Sequence, residues 1–297
     1  LGRCNMSASK ALFSFGMFAD AQYAVKEMVK SRYYDKAADR LQVCLNELSK
    51  HELSCVFNVG DIIDGNETEA KTNSDMDRVL SVLDTYKGKF NHVIGNHCLA
   101  LPGGKTKLME VLKMQKNYYV AFDRDNYVGV VLDGTDVGLM SWPEGSKQWE
   151  EANTMYKSLL DKEAPNAEPW NSAIGKDQID WLQAIISKSR TEKKKVLLFC
   201  HYPIYDKASF ARHLLWNSHE MLDILDKNKD VVVAWINGHY HKGGYAQHPN
   251  GIHHVTVQAI LEAPIGSNAY GIYDVFSDRI DIRGFGTVPS QTLTWKK

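Results

Sequence analysis

Short apolar runs rich in β-branched and aromatic residues punctuate the chain, and each predicts a strand. They fall at Leu12–Ala19, Cys55–Val59, Phe90–Ile94, Tyr127–Leu132, Lys195–Cys200 and Val231–Ile236. Three more follow at His253–Gln258, Ala269–Val275 and Arg279–Arg283, the last two joined by the polar turn Phe276-Ser277-Asp278. Between the runs the apolar period lengthens to three or four residues. In Asp35–Ser49 the residues Ala37, Leu41, Cys44, Leu45 and Leu48 trace one helical face, and Asp177–Ser189 and Phe210–Leu225 repeat the pattern. Ser74 reads as the capping residue of a further helix carried on by Val79, Val82, Leu83 and Tyr86. Early strand–helix alternation predicts an α/β fold with parallel strands, and the closing run of strands predicts antiparallel additions. The pattern fits a single domain over residues 12–297, preceded by a tail of residues 1–11. The stretch around 134–174, with Trp142, Trp149, Trp170 and many charges, has the weakest period and reads as a substrate-side insertion.

Composition narrows the function classes. With 297 residues, 44% of them hydrophobic, the chain is long enough to bury a core without disulfide staples. A net charge of -1 lacks the basic excess of non-specific nucleic-acid binders. No run reaches the length of a transmembrane helix, and the N-terminal residues show no signal-peptide core, so no membrane partner and a cytoplasmic location are expected. Without a secretory signal, Asn5-Met6-Ser7 and Asn66-Glu67-Thr68 are chance matches to the glycosylation pattern. Cys4, Cys44, Cys55, Cys98 and Cys200 form no CxxC pair and read as reduced, packing thiols. The oligomeric state is left open by the sequence, with a monomer favoured.

The residues with metal-ligating chemistry cluster where the strand-like runs end. In order they are Asp20-Ala21-Gln22, Gly60-Asp61-Ile62-Ile63-Asp64, Gly95-Asn96-His97, His201-Tyr202-Pro203 and Gly238-His239-Tyr240-His241. Carboxylate, amide and imidazole groups carried on strand ends to one sheet edge suit a polynuclear metal site. Singly, each cluster is equally a turn, a cap or a structural histidine; the ordered set is what points to chemistry. Asp61 is the natural bridge between two cations, and Asp64 reads as a residue that orders its loop. His97, one position beyond Asn96, points elsewhere and suits contact with a substrate phosphate. His213, His219, His248, His253 and His254 lack this context and read as surface or packing residues.

The ordered set resembles the calcineurin-like metallophosphoesterase superfamily. Its usual first motif is Asp-x-His, whereas here Gln22 replaces the histidine. Ala19-Asp20-Ala21-Gln22-Tyr23, Arg32-Tyr33-Tyr34, Gly60-Asp61-Ile62-Ile63-Asp64-Gly65, Gly95-Asn96-His97-Cys98 and Gly238-His239-Tyr240-His241-Lys242-Gly243-Gly244 look like the manganese-dependent ADP-ribose/CDP-alcohol diphosphatases, closest to plant-like members. The resemblance implies a four-layer αββα sandwich and two divalent metal ions, Mn²⁺ in the first place with Mg²⁺ as the alternative. It assigns one ion to Asp20, Gln22, Asp61 and His241, the other to Asp61, Asn96, His201 and His239, and places His97 near the scissile phosphate. The implied substrate is a small-molecule nucleotide diphosphate conjugate, hydrolysed at its phosphoanhydride. A phosphomonoesterase or cyclic-nucleotide phosphodiesterase of the same superfamily is the alternative, and a catalytically silent scaffold a third. Purple-acid-phosphatase chemistry fits less well, because Gly60–Asp64 lacks that family's metal-binding tyrosine. Relatives carry a longer loop between Gln22 and Arg32 and tend to carry Asn-Gly-Gly where Asn171-Ser172-Ala173 stands, so the nucleobase pocket is left open. Tyr23, Tyr33, Tyr34, Tyr205 and Tyr245 are either base-stacking or packing rings.

Overall fold

The computed structural model describes residues 10–114 and 118–295. Most of the expected N-terminal tail, Cys4 and the Asn5 glycosylation match therefore lie outside the described residues. Among the described residues twelve strands form two six-stranded sheets. The first sheet is built on β1 (Phe13–Phe18), β2 (Cys55–Asn58) and β3 (Phe90–His92), which run parallel, extended by the antiparallel β10 (Ala269–Val275), β11 (Arg279–Gly286) and β12 (Gln291–Thr294). In the second, β5 (Tyr127–Val131), β6 (Lys195–Phe199), β7 (Val232–Asn237) and β9 (His253–Thr256) are parallel. The antiparallel β4 (Val120–Arg124) and β8 (Gly244–Gln247) form its edges.

The central parallel strands β1, β2, β5, β6 and β7 are largely apolar on both faces because both faces are covered. On β1, Phe15 and Met17 face the second sheet, where they pack with Phe57, Phe199, Ala234, Val255 and Tyr273, while Phe18 joins a separate core with α1 (Ala37–Leu48) and α2 (Glu69–Leu83). The interlayer core is aromatic: Phe57 stacks on Phe199 with centroids 4.0 Å apart, and Phe15 on Tyr273 at 5.0 Å. Beyond the second sheet, α5 (Lys176–Thr191) and α6 (Ser218–Lys227) pack on Val130, Leu132, Val196, Leu198 and Trp235. The result is the four-layer αββα sandwich that the resemblance implies.

Several boundaries differ from the sequence reading. Helix α2 starts at Glu69 and is capped by Thr68, whose hydroxyl accepts the Lys71 N–H at 3.2 Å; Ser74 is an exposed residue inside it. Its first turn is polar and at the surface, so the apolar period shows only from Met76. The helix expected from Phe210 is a single 3₁₀ turn at Ala211–His213, then a buried, non-helical Leu214-Leu215-Trp216, and α6 proper begins at Ser218. Asn217 pins this break by accepting from the Ile174 N–H and donating to the Ile174 carbonyl. Three strands escaped the pattern because they are short or half-exposed edge segments: β4, β8 and β12. Two helices did too. One is the polar α3 (Gly104–Val111); the other, α4 (Lys147–Asp161), buries only Ala152 and occupies the stretch expected to be an insertion.

Candidate metal centre

All the candidate ligands leave the C-terminal ends of parallel strands at one edge of the sandwich. Asp20, Asp61 and Asn96 follow β1, β2 and β3 of the first sheet; His201, His239 and His241 follow β6 and β7 of the second. The local chain is shaped for this. Asp20, Gln22, Asp61 and His239 have φ of 50°, 43°, 52° and 68°, the left-handed region that non-glycine residues rarely occupy. Such strain persists where the surroundings over-determine it, as at a binding site. A side chain at Gly95 would run into the Asp61 carboxylate, and one at Gly238 into that of Asp20. The glycines before Asn96 and His239 therefore keep two carboxylates in place.

The geometry converges on Asp61. Its Oδ2 lies 3.1 Å from His201 Nε2 and 3.3 Å from Gln22 Nε2, and its Oδ1 accepts the backbone N–H of His97 at 2.8 Å. His239 Nδ1 stands 3.2 Å from His201 Nε2. Asp61, His201 and His239 thus form a fully buried group able to hold a divalent metal ion. The 3.1 and 3.2 Å spacings approximate the roughly 3.0 Å between neighbouring ligands of an octahedral ion bound at about 2.1 Å. The Gln22 amide also approaches His241 Nε2 at 3.1 Å, and that nitrogen is 3.6 Å from Asp20 Oδ1.

The polar atoms left over fit metal ions. Asp20 Oδ1, Gln22 Oε1 and Asn96 Oδ1 are buried and have no hydrogen-bond partner, which costs free energy unless a cation takes them up. A half-turn of the nearly isosteric Gln22 amide exchanges Nε2 for Oε1 toward Asp61 and His241. The carboxylates respond to the surrounding charge. Burial raises the pKa of Asp20 against the opposing pull of His201 and His241, whereas at Asp61 burial is outweighed by His201 and His97 and the pKa is lowered. Burial disfavours a charged His201, yet Asp61 and Asp20 lift it to about 9. His239, buried beside His201, is pushed well down.

Outside the trio, each histidine has a second partner that fixes its ring. His201 Nδ1 is 2.8 Å from the Val59 carbonyl, His239 Nε2 is 3.0 Å from Asn171 Oδ1, and His241 Nδ1 is 2.8 Å from Glu262 Oε1. Sequence reasoning missed the contacts of Asn171 and Glu262, neither of which stands in a periodic run or in one of the ligand clusters. His97 is half-buried at the rim, with Nδ1 3.0 Å from Asp64 Oδ1 and Nε2 left to a ligand; Lys26 holds the other oxygen of Asp64 at 2.6 Å. Burial opposes charge on His97, but Asp61 and Asp64 raise its pKa to about 9. Asp64 is thus both a loop-ordering residue and the partner of His97.

Besides His201, rings in contact with His239 are Trp170 at 5.2 Å, Tyr202 at 4.6 Å and His213 at 5.4 Å. His213, read as surface or packing, therefore lines the centre and continues outward to Tyr240 and the exposed Phe210. The suggested tyrosines have other neighbours: Tyr23 packs against the core shared with α1 and α2, Tyr34 is buried, Tyr33 lies under Arg40, Tyr205 meets His248 and His254, and Tyr245 meets His253. Cys98 and Cys200 are buried thiols whose pKa burial pushes up to about 12, packing neighbours of His97 and His201 as expected.

Residues 15–243 match the family described as Calcineurin-like phosphoesterase. The chain belongs to that family. Among its relatives are manganese-dependent ADP-ribose/CDP-alcohol diphosphatases from Oryza sativa subsp. japonica, 33% identical over 95% of this chain and 94% of that protein, and from Arabidopsis thaliana, 30% identical over 94% and 96%. A crystal structure of a dimetal phosphatase from Danio rerio superposes with a TM-score of 0.87 at 27% identity, covering 97% of this chain and all of that one. With its Asp and His cluster, this calcineurin-like phosphoesterase is a metal-dependent hydrolase related to those diphosphatases. No helix among the described residues is long and apolar enough to cross a membrane.

Proposed function

We propose that the protein is a Mn²⁺-dependent pyrophosphatase that hydrolyses the phosphoanhydride of nucleoside diphosphate conjugates. From ADP-ribose and water the products are AMP and ribose 5-phosphate; from a CDP-alcohol they are CMP and the phosphorylated alcohol. The observation that carries this reading is the Gln22 amide, 3.3 Å from Asp61 and 3.1 Å from His241. A neutral oxygen donor where the superfamily usually has imidazole favours harder Mn²⁺ or Mg²⁺ over zinc. The Gly95-Asn96-His97-Cys98 form and the similarity to the rice protein support kinship with the plant members.

In this reading Asp20, Gln22, Asp61 and His241 hold one ion and Asp61, Asn96, His201 and His239 the other, with Asp61 shared. Bound there, two divalent ions polarise phosphoryl oxygens and lower the pKa of water. The chain supplies the rest. Asp64 orients His97 through Nδ1, so a proton at Nε2 faces the oxygen that departs with the leaving phosphate. Left-handed backbone and close-packed glycines hold the carboxylates before any ligand arrives, so little reorganisation is left to the reaction. The ring wall from Trp170 through His213 to Tyr240 and Phe210 gives a planar base a face beside the reacting phosphates.

Purified protein incubated with Mn²⁺ and ADP-ribose should release AMP, followed by ion-exchange chromatography. His97→Ala should lower turnover by about 10²–10⁴-fold while Mn²⁺ binding by calorimetry is retained. Mn²⁺ binding with no release from ADP-ribose, CDP-choline or CDP-glycerol, but turnover of a phosphomonoester or cyclic nucleotide, would replace this reading by the superfamily alternative.

A further inference from the structure

The imidazole of His241 meets a carboxylate that belongs to none of the motifs. Glu262 lies 21 positions further along, in the turn after β9, with Oε1 2.8 Å from His241 Nδ1. That turn is fastened from several directions. The Ile260 and Leu261 N–H groups donate to the carbonyls of Ala19 and Asp20 at 3.1 Å each, and the Tyr33 N–H donates to the Leu261 carbonyl. The buried Arg40 guanidinium donates to the carbonyls of Ile260 at 3.0 Å and Leu261 at 2.9 Å. The carboxylate is gripped as well: Ser31 Oγ donates to Oε2 at 2.9 Å, and Arg32 Nε stands 3.5 Å from Oε1. Glu262 is therefore anchored to the same backbone that carries Asp20, and its reach to His241 is fixed.

We propose that Glu262 is a positioning residue for the ion held by Asp20, Gln22 and His241. This rests on the two-ion reading above. A neutral imidazole has one donor and one acceptor nitrogen. A carboxylate acceptor at Nδ1 keeps the proton there and turns the Nε2 lone pair toward Gln22 and Asp20. The negative charge behind the ring also makes it a stronger donor to a cation. The three histidines are not equivalent in this respect: His201 is backed by a peptide carbonyl and His239 by an amide, both neutral. Only His241, of the three, is backed by an anion, and it shares its ion with the one neutral side chain that stands where an imidazole is usual. Glu262 offsets what Gln22 withholds.

The test is calorimetric titration of the metal-stripped protein with Mn²⁺ for the wild type, Glu262→Gln and Glu262→Ala, with the melting temperature of each stripped form. Two Mn²⁺ steps are expected in the wild type. One of them should weaken by about 10–100-fold in Glu262→Ala and by less in Glu262→Gln, which keeps an acceptor but loses the charge. The other step should hold its affinity, a selectivity that general loosening of the fold would not produce. If Glu262→Ala does not fold, the Glu262→Gln titration decides alone. Two unaltered steps in the variants would overturn the role of Glu262 while leaving the two-ion reading intact. Fewer than two steps in the wild type would overturn that reading and this inference with it.

Discussion

At His97 burial and charge pull in opposite directions, and charge wins. Its pKa is raised to about 9, against an ordinary value of 6.5, by Asp61 and Asp64. A group whose folded pKa lies above its unfolded one contributes stability that is fully present below the unfolded value and is lost as pH climbs through the folded value. His201, also raised to about 9, acts in the same window. The metal-stripped protein should therefore lose several degrees of melting temperature between pH 6.5 and 9. His97→Asn should flatten part of that slope and leave the part due to His201, which scanning fluorimetry in chelator will read. An equal slope in both proteins would mean that the Asp64–His97 contact contributes nothing to folding. Asp61, Asn96, His97, His201, His239 and His241 were legible as candidates because glycine or proline breaks the chain beside most of them. The partners Asn171 and Glu262 were not: a lone amide or carboxylate in a loop has no period to betray it.

The elements show which signals survive at the scale of a helix or strand. Buried strands announced themselves because both faces are apolar, and the antiparallel β10 was read to the residue. The edge strands β8 and β12 did not, since each pairs with one neighbour and leaves half or more of its side chains exposed. Helix α2 was placed too late because Ser74 looked like its cap, whereas Thr68 holds the orphan N–H of Lys71. Thr68→Ala should cost about 1 kcal/mol and Ser74→Ala almost nothing, measured by urea unfolding. Equal losses at the two positions would mean that the Thr68 cap has no energetic weight. The break before α6 depends on Asn217 reaching Ile174, 43 residues back, and no local window contains that bond.

The molecule as a whole is a pair of sheets with the candidate centre astride their shared edge. Asp20, Asp61 and Asn96 come from one sheet and His201, His239 and His241 from the other, so an ion bound there ties the two together. Mn²⁺ at about 100 times its dissociation constant should therefore stabilise the fold by about 2.7 kcal/mol per site, seen as a rise in melting temperature that chelator reverses. Phe57, stacked on Phe199 between the sheets at 4.0 Å, carries the same coupling. Phe57→Ala should cost about 3–5 kcal/mol and weaken Mn²⁺ binding although Phe57 is itself no candidate ligand. Unchanged Mn²⁺ affinity in that variant would show that the centre does not depend on how the sheets are seated. The sequence by itself determined the strand and helix periods, the residue types at each strand end and the order in which they occur, because those are properties of short windows. Which atoms meet was decided only by the tertiary structure. The His239 N–H reaches the Asp20 carboxylate across 219 positions, and only the stacking of the two sheets brings such distant groups within a hydrogen bond.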